Sequence, residues 1–485
     1  MKRICGYILL IALACHLIST AQVLPEFLPQ PADWGSMHYL TNPEYHGNIY
    51  DARISVTDSI LHIYTANGDR EHIYHFISSD NGDDWILLAD EYNPDYWINF
   101  GPVMSYFGHD KFYTIYQAVE EEPWWTGFTY FRASTDYGVT WAWSSQLRMP
   151  IEGAARACNI TGNGDTLFIV AYQGDSLHLW RSYDAGHNWL HLNTPCNGGY
   201  HTSGLEYDKS KQVLHVAFLT NDWDISYVRS TAQGDTWDEV IPIGFPEDGP
   251  SNLPAMESDG LGNVIITWQD WHERPGEPPR IYCRVSHTEG ATWEPAIPIG
   301  ENAGSWSDVT ISGSYAGMAW CDKSLPGYRL AYIESFDGGD NWEQPYMIAT
   351  GNFVYGSIIR INETIHVTVR RDVTSVGSMA AYVRYDPYTG IEDDIPENPS
   401  SAILMTCYPN PFNSLTVISL TGNVDEIMIF NLEGRLIKRF SIAESQIQVV
   451  WDARDADGQG VASGIYFVRA YSENISTEVK LIYLK

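Results

Sequence analysis

The stretch that decides the fold is Ser78-Ser79-Asp80-Asn81-Gly82-Asp83-Asp84-Trp85, which has the pattern S-x-D-x-G-x-x-W. The pattern returns five more times along the chain. Complete copies begin at Ser134, Ser182 and Ser335, and copies that keep Ser, Gly and Trp but lose the acid begin at Ser230 and Ser286. Successive Trp residues of the six copies are 56, 48, 48, 56 and 49 positions apart. Such a regular period is typical of a repeat architecture, in which each repeat is one supersecondary unit.

Each position of the pattern, called a box below, has a physical role in a tight turn. The Asp carboxylate and the Ser hydroxyl can bond backbone groups of the turn. Gly permits a positive φ, and Trp can pack its large face between adjacent repeats. The pattern resembles the Asp box of sialidase-like β-propellers, over residues 45–390. This resemblance implies that the boxes lie on the rim away from any active site and that their acids are structural.

Strand-like segments surround every box. In the first repeat they are Arg53–Thr57, Ile60–Thr65, Ile73–Ser78 and Trp85–Ala89. Residues 351–386 repeat the alternation without a complete box, which makes seven units, each a candidate four-stranded blade. The seventh unit lacks an outer strand. We expect Ser36–Leu40 to supply it by pairing with Ala380–Tyr385, which would close the ring and remove an exposed edge. The predicted fold is all-β, a sialidase-like β-propeller over residues 22–386 with seven blades favoured over six.

Composition agrees with an all-β fold and limits the partners. The 485 residues include 18 Trp, 31 Tyr, 40 Gly and 25 Pro, which favours short strands joined by tight turns. The formal net charge is −33, and such a chain repels phosphate backbones, so we expect no nucleic-acid partner. The seven Cys contain no CxxC pair and the 15 His show no metal-ligand spacing. We therefore predict no metal and no cofactor.

Residues 1–21 are predicted to be a secretory signal peptide. Lys2 and Arg3 precede the apolar stretch Tyr7–Ile18, and small residues stand just before Gln22. A membrane anchor is disfavoured because about 20 apolar residues are needed to span a bilayer. A lipoprotein site at Cys15 is a weaker alternative. The mature chain is therefore expected to be exported and to carry no transmembrane span.

A second domain is predicted at the end of the chain. Residues 387–402 have the Pro-, Asp-, Glu- and Ser-rich composition of a linker. Residues 403–485 contain Tyr408-Pro409-Asn410-Pro411-Phe412-Asn413, then Trp451-Asp452 and Ser463-Gly464-Ile465-Tyr466-Phe467, and end in a strand that closes on Lys485. This order resembles the C-terminal sorting domain of type IX secretion cargo. The resemblance implies a small immunoglobulin-like β-sandwich, the type IX secretion machinery as a partner, and a secreted or outer cell-surface location.

The resemblance to sialidase-like propellers places ligands on the face opposite the boxes, at loops between second and third strands and between blades. Aromatic and acidic residues are frequent in those segments. Flat rings stack on the apolar faces of sugars while carboxylates bind hydroxyls, so we predict a glycan or glycoconjugate ligand. The candidate substrate-binding residues are Trp124, Trp125, Trp223, Trp268, Asp270 and Trp271. The alternative is that several tryptophans of those segments, Trp268 and Trp320 in particular, cap the core.

Sialidase chemistry is only partly represented. The resemblance implies Arg53 as an arginine that grips a substrate carboxylate, Asp69 as the acid and Tyr355 as the nucleophile, and these three are the catalytic candidates. The two further arginines that such enzymes use do not appear at the expected strand ends. We therefore expect an exported carbohydrate-binding propeller. The alternative is a glycoside hydrolase of sialidase-like fold, with exo-sialidase activity disfavoured, and a purely structural surface protein is a third hypothesis.

Overall fold

The computed structural model describes most of residues 34–386 and 404–483. The described ranges are 34–57, 60–67, 72–92, 97–106, 111–119, 128–136, 138, 140–147, 156–173, 176–197, 204–245, 250–271, 279–300, 304–323, 328–361, 363–373, 377–386, 404–408, 412–421, 424–431, 435–442, 448–456, 458–472 and 475–483. The predicted signal peptide and the predicted linker lie outside these ranges, as do Asp69, Trp124 and Trp125.

Seven four-stranded antiparallel sheets, named sheets 1 to 7 in chain order, are formed by the described residues up to 385. Sheet 1 contains Ile49–Thr57, Ile60–Asn67, His72–Ser78 and Ile86–Tyr92; sheet 2 contains Trp97–Tyr106, Phe112–Val119, Phe128–Ser134 and Trp143–Leu147; sheet 3 contains Arg156–Asn163, Thr166–Gln173, Ser176–Ser182 and Leu190–Asn197. Sheet 4 contains Gly204–Asp208, Val213–Leu219, Ile225–Ser230 and Ile241–Pro242; sheet 5 contains Ser251–Ser258, Val264–Asp270, Arg280–Ser286 and Ile297–Ile299; sheet 6 contains Gly304–Ser312, Tyr315–Asp322, Arg329–Ser335 and Tyr346–Thr350. Sheet 7 contains Asn352–Ile361, Thr364–Val373, Gly377–Tyr385 and, as its fourth strand, His38–Tyr39.

The seven sheets follow one another in a cycle. The first strand of each sheet contacts the first strand of the next, and the first strand of sheet 7 contacts that of sheet 1. His38 and Tyr39 pair antiparallel with Tyr382 and Ala381, which confirms the predicted pairing of Ser36–Leu40 with Ala380–Tyr385. Sheet 7 is therefore built from both ends of this part of the chain. A single helical turn, Pro43–His46, joins the closing strand to sheet 1.

The box of sheet 3 shows how these turns are held. The Ser182 hydroxyl donates to the Asp184 carboxylate at 2.8 Å and accepts the Gly186 backbone N–H at 2.9 Å. The Asp184 carboxylate also accepts the backbone N–H of Asn188 at 2.8 Å and its side-chain amide at 2.6 Å. These bonds, led by that of the Asn188 side chain, lower the pKa of Asp184. The acid is therefore occupied by donors of its own turn.

The glycine of each box lies against the third strand of the preceding sheet. Gly186 has a φ of 86°, and a Cβ placed there would overlap the ring of Phe131 in sheet 2. The six contacts, with the box glycine first, are Gly82–Tyr382, Gly138–His75, Gly186–Phe131, Gly234–Leu179, Gly290–Tyr227 and Gly339–Val285. Because glycine has no side chain, neighbouring sheets can approach more closely here than they could with any other residue at the same position.

The box tryptophans pack in the same junctions, which confirms the expectation that they lie between adjacent repeats. The edge-to-face ring-centroid distances are 5.1 Å for Trp189–Phe131, 4.8 Å for Trp293–Tyr227 and 4.8 Å for Trp85–Tyr382. The buried apolar clusters follow the same plan. One cluster, for example, joins Phe131 of sheet 2 to Trp180 of sheet 3. The core therefore lies between consecutive sheets.

Residues 404–483 form two further sheets around a separate core. The three-stranded sheet contains Leu404–Tyr408, Thr416–Thr421 and Gln448–Trp451, and the four-stranded sheet contains Glu426–Asn431, Leu436–Ser441, Gly464–Ser472 and Ile475–Tyr483. Trp451 is fully buried, lies 5.5 Å from Phe412 and 5.1 Å from Tyr466 between ring centroids, and donates its indole N–H to the Arg454 carbonyl at 2.9 Å. Across the described parts of the chain, no helix combines the length and apolar character needed to cross a membrane.

Replacing Gly186 by alanine tests the contact between sheets. An L-residue at positive φ costs about 1–2 kcal/mol, and overpacking against Phe131 should add about 1–3 kcal/mol. Gly313→Ala is the matched control, because Gly313 has a φ of 62° and no atom within 4 Å of an added Cβ. Chemical denaturation should therefore show a larger loss of unfolding free energy for Gly186→Ala. Equal losses in the two variants would contradict the role assigned to Phe131.

Candidate functional site

The loop between the second and third strands of sheet 4 presents a tryptophan to solvent. The Thr220 N–H donates to the Asp224 carbonyl at 2.8 Å, and the Trp223 N–H donates to the Thr220 carbonyl at 3.1 Å. Trp223 has a φ of 62°, which is uncommon for a bulky residue. The residue is 42% exposed. The turn therefore holds a large ring at the surface, at the end of the sheet opposite the boxes.

The first residues of sheet 5 connect this loop to Trp271, which directly follows the second strand of sheet 5. The Ser251 N–H donates to the Trp223 carbonyl at 2.6 Å, and the Trp271 N–H donates to the Pro250 carbonyl at 3.2 Å. Pro250 and Ser251 thus connect the backbones of Trp223 and Trp271, of which Trp271 is half-buried. We call these four residues the tryptophan rim.

Two carboxylates lie beneath the tryptophan rim. The Ser251 hydroxyl donates to the Asp270 carboxylate at 2.5 Å and lies 3.3 Å from the nearer oxygen of Asp224. Asp270 also accepts the indole N–H of Trp268 at 2.8 Å, and Asp224 accepts the Ile225 backbone N–H at 2.8 Å. Burial raises the pKa of Asp224, and the negative charge of Asp270 raises it further. A network of buried donors therefore fixes two acids next to the backbone of the tryptophan rim.

Only part of the predicted binding set reaches the surface. Trp268 is 0% exposed and stacks on Tyr282 with 5.9 Å between ring centroids, and Asp270 is equally buried. The expectation that these two residues touch a sugar is corrected, because the second strand of sheet 5 is covered on both faces by neighbouring sheets. They position the tryptophan rim, and Trp223 and Trp271 remain the contact candidates. Trp124 and Trp125 lie outside the described residues.

Arg53, a catalytic candidate, lies on the first strand of sheet 1. It is paired in register with Tyr64, the fifth residue of the second strand. Asp308 of sheet 6 and Ser357 of sheet 7 are paired in the same way with the fifth residues of their own second strands. Because sheets 6, 7 and 1 are consecutive in the cycle, the three residues lie on adjoining first strands.

Asp308 connects these strands. Its carboxylate accepts the Ile358 backbone N–H of sheet 7 at 3.0 Å and also accepts a hydrogen bond from the Ser357 side chain. Burial raises the pKa of Asp308, and the positive charge of Arg53 opposes that rise. A carboxylate that sequence analysis had not singled out therefore faces Arg53.

Of the other two catalytic candidates, the structure describes the backbone of Tyr355 but not Asp69. The Tyr355 backbone lies in the first strand of sheet 7, at an irregularity of the register between Val354 and Ser357. A bulge at such a position redirects side chains and is common beside functional sites. Asp69 lies outside the described residues. The structure therefore brings Arg53 and the strand of Tyr355 to the same carboxylate.

Two more acids, on the first strands of sheets 4 and 5, interact electrostatically with Asp308. Burial raises the pKa of Glu206 to about 8, and the charge of Asp308 contributes. The pKa of Glu257 is also raised, first by burial and then by Glu206 and Asp308. We call Glu206, Glu257 and Asp308 the central acids. Among the described residues, no three His, Cys, Asp or Glu side chains are close enough to hold a metal ion.

Comparison with known proteins identifies the end of the chain. Residues 406–484 match the family described as the secretion system C-terminal sorting domain. This segment is a sorting domain. A domain of this family implies type IX secretion and a surface or secreted location. The chain matches no curated protein.

Several solved structures resemble the chain distantly. A polysaccharide lyase, an ulvan lyase, is 12% identical, with 73% of this chain and 95% of that chain covered and a TM-score of 0.48. An α-L-arabinofuranosidase of Fusarium graminearum is 12% identical, with 72% and 98% covered and a TM-score of 0.43. A sialidase from Streptococcus pneumoniae is 12% identical, with 74% and 71% covered and a TM-score of 0.40.

The raised pKa of Glu206 makes stability depend on pH. Between its ordinary value of 4.5 and about 8, the carboxyl is ionised in the unfolded chain but protonated in the folded one. The contribution of Glu206 to the free energy of unfolding should therefore fall as the pH rises through this window and be constant outside it. Glu206→Gln should remove this loss, and at pH 8 the gain is on the order of a few kcal/mol, because each pKa unit corresponds to about 1.4 kcal/mol.

Urea denaturation at pH 4.5, 6 and 8 measures this effect. Glu239→Gln, which changes an exposed acid before the fourth strand of the same sheet, is the control and should leave the pH dependence unaltered. A Glu206→Gln profile that runs parallel to wild type at all three pH values would show that the carboxyl is not buried as described.

Proposed function

We propose that residues 22–386 form a seven-bladed, sialidase-like β-propeller that binds carbohydrate, and that residues 403–485 form an immunoglobulin-like sandwich that directs the exported chain to the cell surface or the medium. Seven four-stranded sheets in cyclic order, closed by His38–Tyr39, support the blade count. Two sheets around the Trp451 core support the sandwich. The match of residues 406–484 supports the route of export.

The observation that carries carbohydrate binding is the exposed Trp223 ring, held on a turn whose neighbouring Ser251 also fixes two carboxylates. Sugars combine an apolar face, which stacks on an aromatic ring, with hydroxyls, which need polar partners. The tryptophan rim offers the ring at the surface, and Asp224 and Asp270 give its surroundings negative charge. That charge disfavours an anionic sugar and favours a neutral or cationic one at this place.

A glycan array followed by affinity measurement tests this proposal. For a glycan bound by the wild type, Trp223→Ala should weaken binding about tenfold or more, which is the scale for loss of a dominant aromatic contact. The melting temperature should change little, because the Trp223 ring is exposed. Tyr183→Ala is the matched control, since Tyr183 is 56% exposed and lies in a box, at the opposite end of its sheet.

Three outcomes would contradict glycan binding at the tryptophan rim. They are the absence of any bound glycan on the array, full affinity in Trp223→Ala, and an equal loss in Tyr183→Ala. The first rejects carbohydrate binding by this chain. The other two reject only the location.

A glycoside hydrolase is the second candidate, favoured by the central acids. Glu206 carries a proton near neutral pH, as a general acid must. Asp308 interacts electrostatically with Arg53 and accepts a backbone hydrogen bond from the strand that carries Tyr355. Exo-sialidase activity stays disfavoured. Two other arginines, Arg329 and Arg370, are engaged by Asp322 and Asp372.

A screen of nitrophenyl glycosides tests the hydrolase. If turnover is present, Glu206→Gln should lower kcat by about 100-fold or more, the usual contribution of a general acid. The exposed-acid variant Glu239→Gln should keep wild-type kcat. Absence of turnover on every glycoside, or full activity in Glu206→Gln, would remove the central acids from any catalytic role.

A further inference from the structure

A cavity of about 520 Å³ lies where sheet 6 meets sheet 7. One wall is the fourth strand of sheet 6, residues 347–350, and another is the segment 34–39 that leads into the closing strand. Phe353, Arg371 and Val383 of sheet 7 complete the described lining. The volume falls within the range of about 300–1,000 Å³ usual for small-molecule sites. No residue of the tryptophan rim or of the central acids lines the cavity.

Arg371 is the single charged residue in the described lining. It pairs in register with Phe353 across the first and second strands of sheet 7. Its guanidinium carbon lies 5.2 Å from the Tyr39 ring centroid and 5.8 Å from that of Phe353. Within the described residues Arg371 makes no ion pair, and its Nε, shielded from solvent, has no hydrogen-bond acceptor. Two aromatic rings therefore hold a cation that no carboxylate neutralises.

The neighbouring arginine shows the contrast. Arg370 lies on the opposite face of the strand by alternation, and its Nε and Nη2 lie 3.0 and 3.1 Å from the two carboxylate oxygens of Asp372. The chain has 61 acidic residues against 28 basic ones, so acids are abundant. A partly buried charge is costly unless it is paired, and contact with aromatic rings compensates only part of that cost.

We propose that this cavity binds a small organic carboxylate whose body is a ring. A guanidinium binds a carboxylate through two parallel N–H···O bonds. The planar guanidinium of arginine matches this geometry better than the ammonium group of lysine does. One guanidinium in an otherwise uncharged lining matches one negative charge. Tyr39, which is 45% exposed, and the half-buried side chains of Met37 and Met347 offer contacts for the ring.

Sugar acids and aromatic acids share this chemistry, so the experiment has an arm for each. Calorimetric titration of the full chain with sodium glucuronate and sodium benzoate is compared with titration with glucose and benzamide, their uncharged counterparts. We expect at least one acid to bind and its uncharged counterpart to bind much more weakly. The acid that binds identifies the source of the carboxylate.

Three variants locate the binding. Arg371→Gln should weaken the affinity for the acid about 10- to 100-fold, the loss expected for hydrogen bonds between charged groups. Arg370→Gln, which changes the adjacent arginine on the other face, should bind within about twofold of wild type, since its partner is Asp372. Trp223→Ala should bind the acid like wild type as well, which separates this cavity from the tryptophan rim.

Ala349→Leu is a second variant that tests the cavity even if Arg371→Gln does not fold. It adds bulk to the cavity wall without touching the charge, and should weaken the acid comparably while the melting temperature reports that the chain is folded. The proposal is overturned if neither acid binds more tightly than its uncharged counterpart. It is equally overturned if Arg370→Gln weakens the acid as much as Arg371→Gln does, or if both Arg371→Gln and Ala349→Leu keep full affinity.

Discussion

The close approach of each box glycine to the third strand of the preceding sheet is the contact on which six of the seven junctions between sheets depend. The residue that glycine meets varies from Tyr382 to Val285, so the requirement lies with the glycine and not with its neighbour. The serine that accepts the glycine N–H is present even where the acid is lost. That bond is 2.8 Å both from Gly234 to Ser230 and from Gly290 to Ser286.

The acid of the box is the replaceable member of the turn. In the box of sheet 5, the Thr288 hydroxyl accepts the Thr292 backbone N–H at 2.9 Å. In the box of sheet 3, the Asp184 carboxylate accepts the corresponding N–H of Asn188 at 2.8 Å. A hydroxyl and a carboxylate thus satisfy the same donor. This is why the decayed boxes still mark their sheets and why the boxes alone mark six of the seven repeats.

The fold was more predictable than the candidate site because its signals are local. The seventh sheet has no complete box, yet the alternation of Ile358–Ile361 and Ile365–Val369 predicts its strands, and the need to pair its edge predicts the closing strand. Trp268 was harder to place. Every residue of its strand is buried, so alternation along Val264–Asp270 marks no solvent-facing side that would have separated Trp268 from Trp271.

The central acids could not be found from the sequence because their proximity depends on register between strands far apart in the chain. Glu206 faces the third residue of its second strand, Glu257 the second and Asp308 the fifth, so no fixed spacing from a box marks all three. The family resemblance points to Arg53, but its electrostatic interaction with Asp308 arises only because sheets 6, 7 and 1 adjoin. The sequence shows the acids but not the cycle that brings them together.

Closure of the cycle gives the two proposed binding places different structural requirements. The tryptophan rim is made by sheets 4 and 5, whose strands are consecutive in the chain, and its hydrogen bonds join residues at most 28 positions apart, as in the Ser251–Trp223 bond. The Arg371 cavity needs residues 34–39, which become its wall only when His38 and Tyr39 pair with sheet 7. Bringing such distant segments together costs loop-closure entropy, which grows with their separation along the chain. The cavity is therefore a feature of the closed cycle alone, whereas the tryptophan rim requires only two neighbouring sheets.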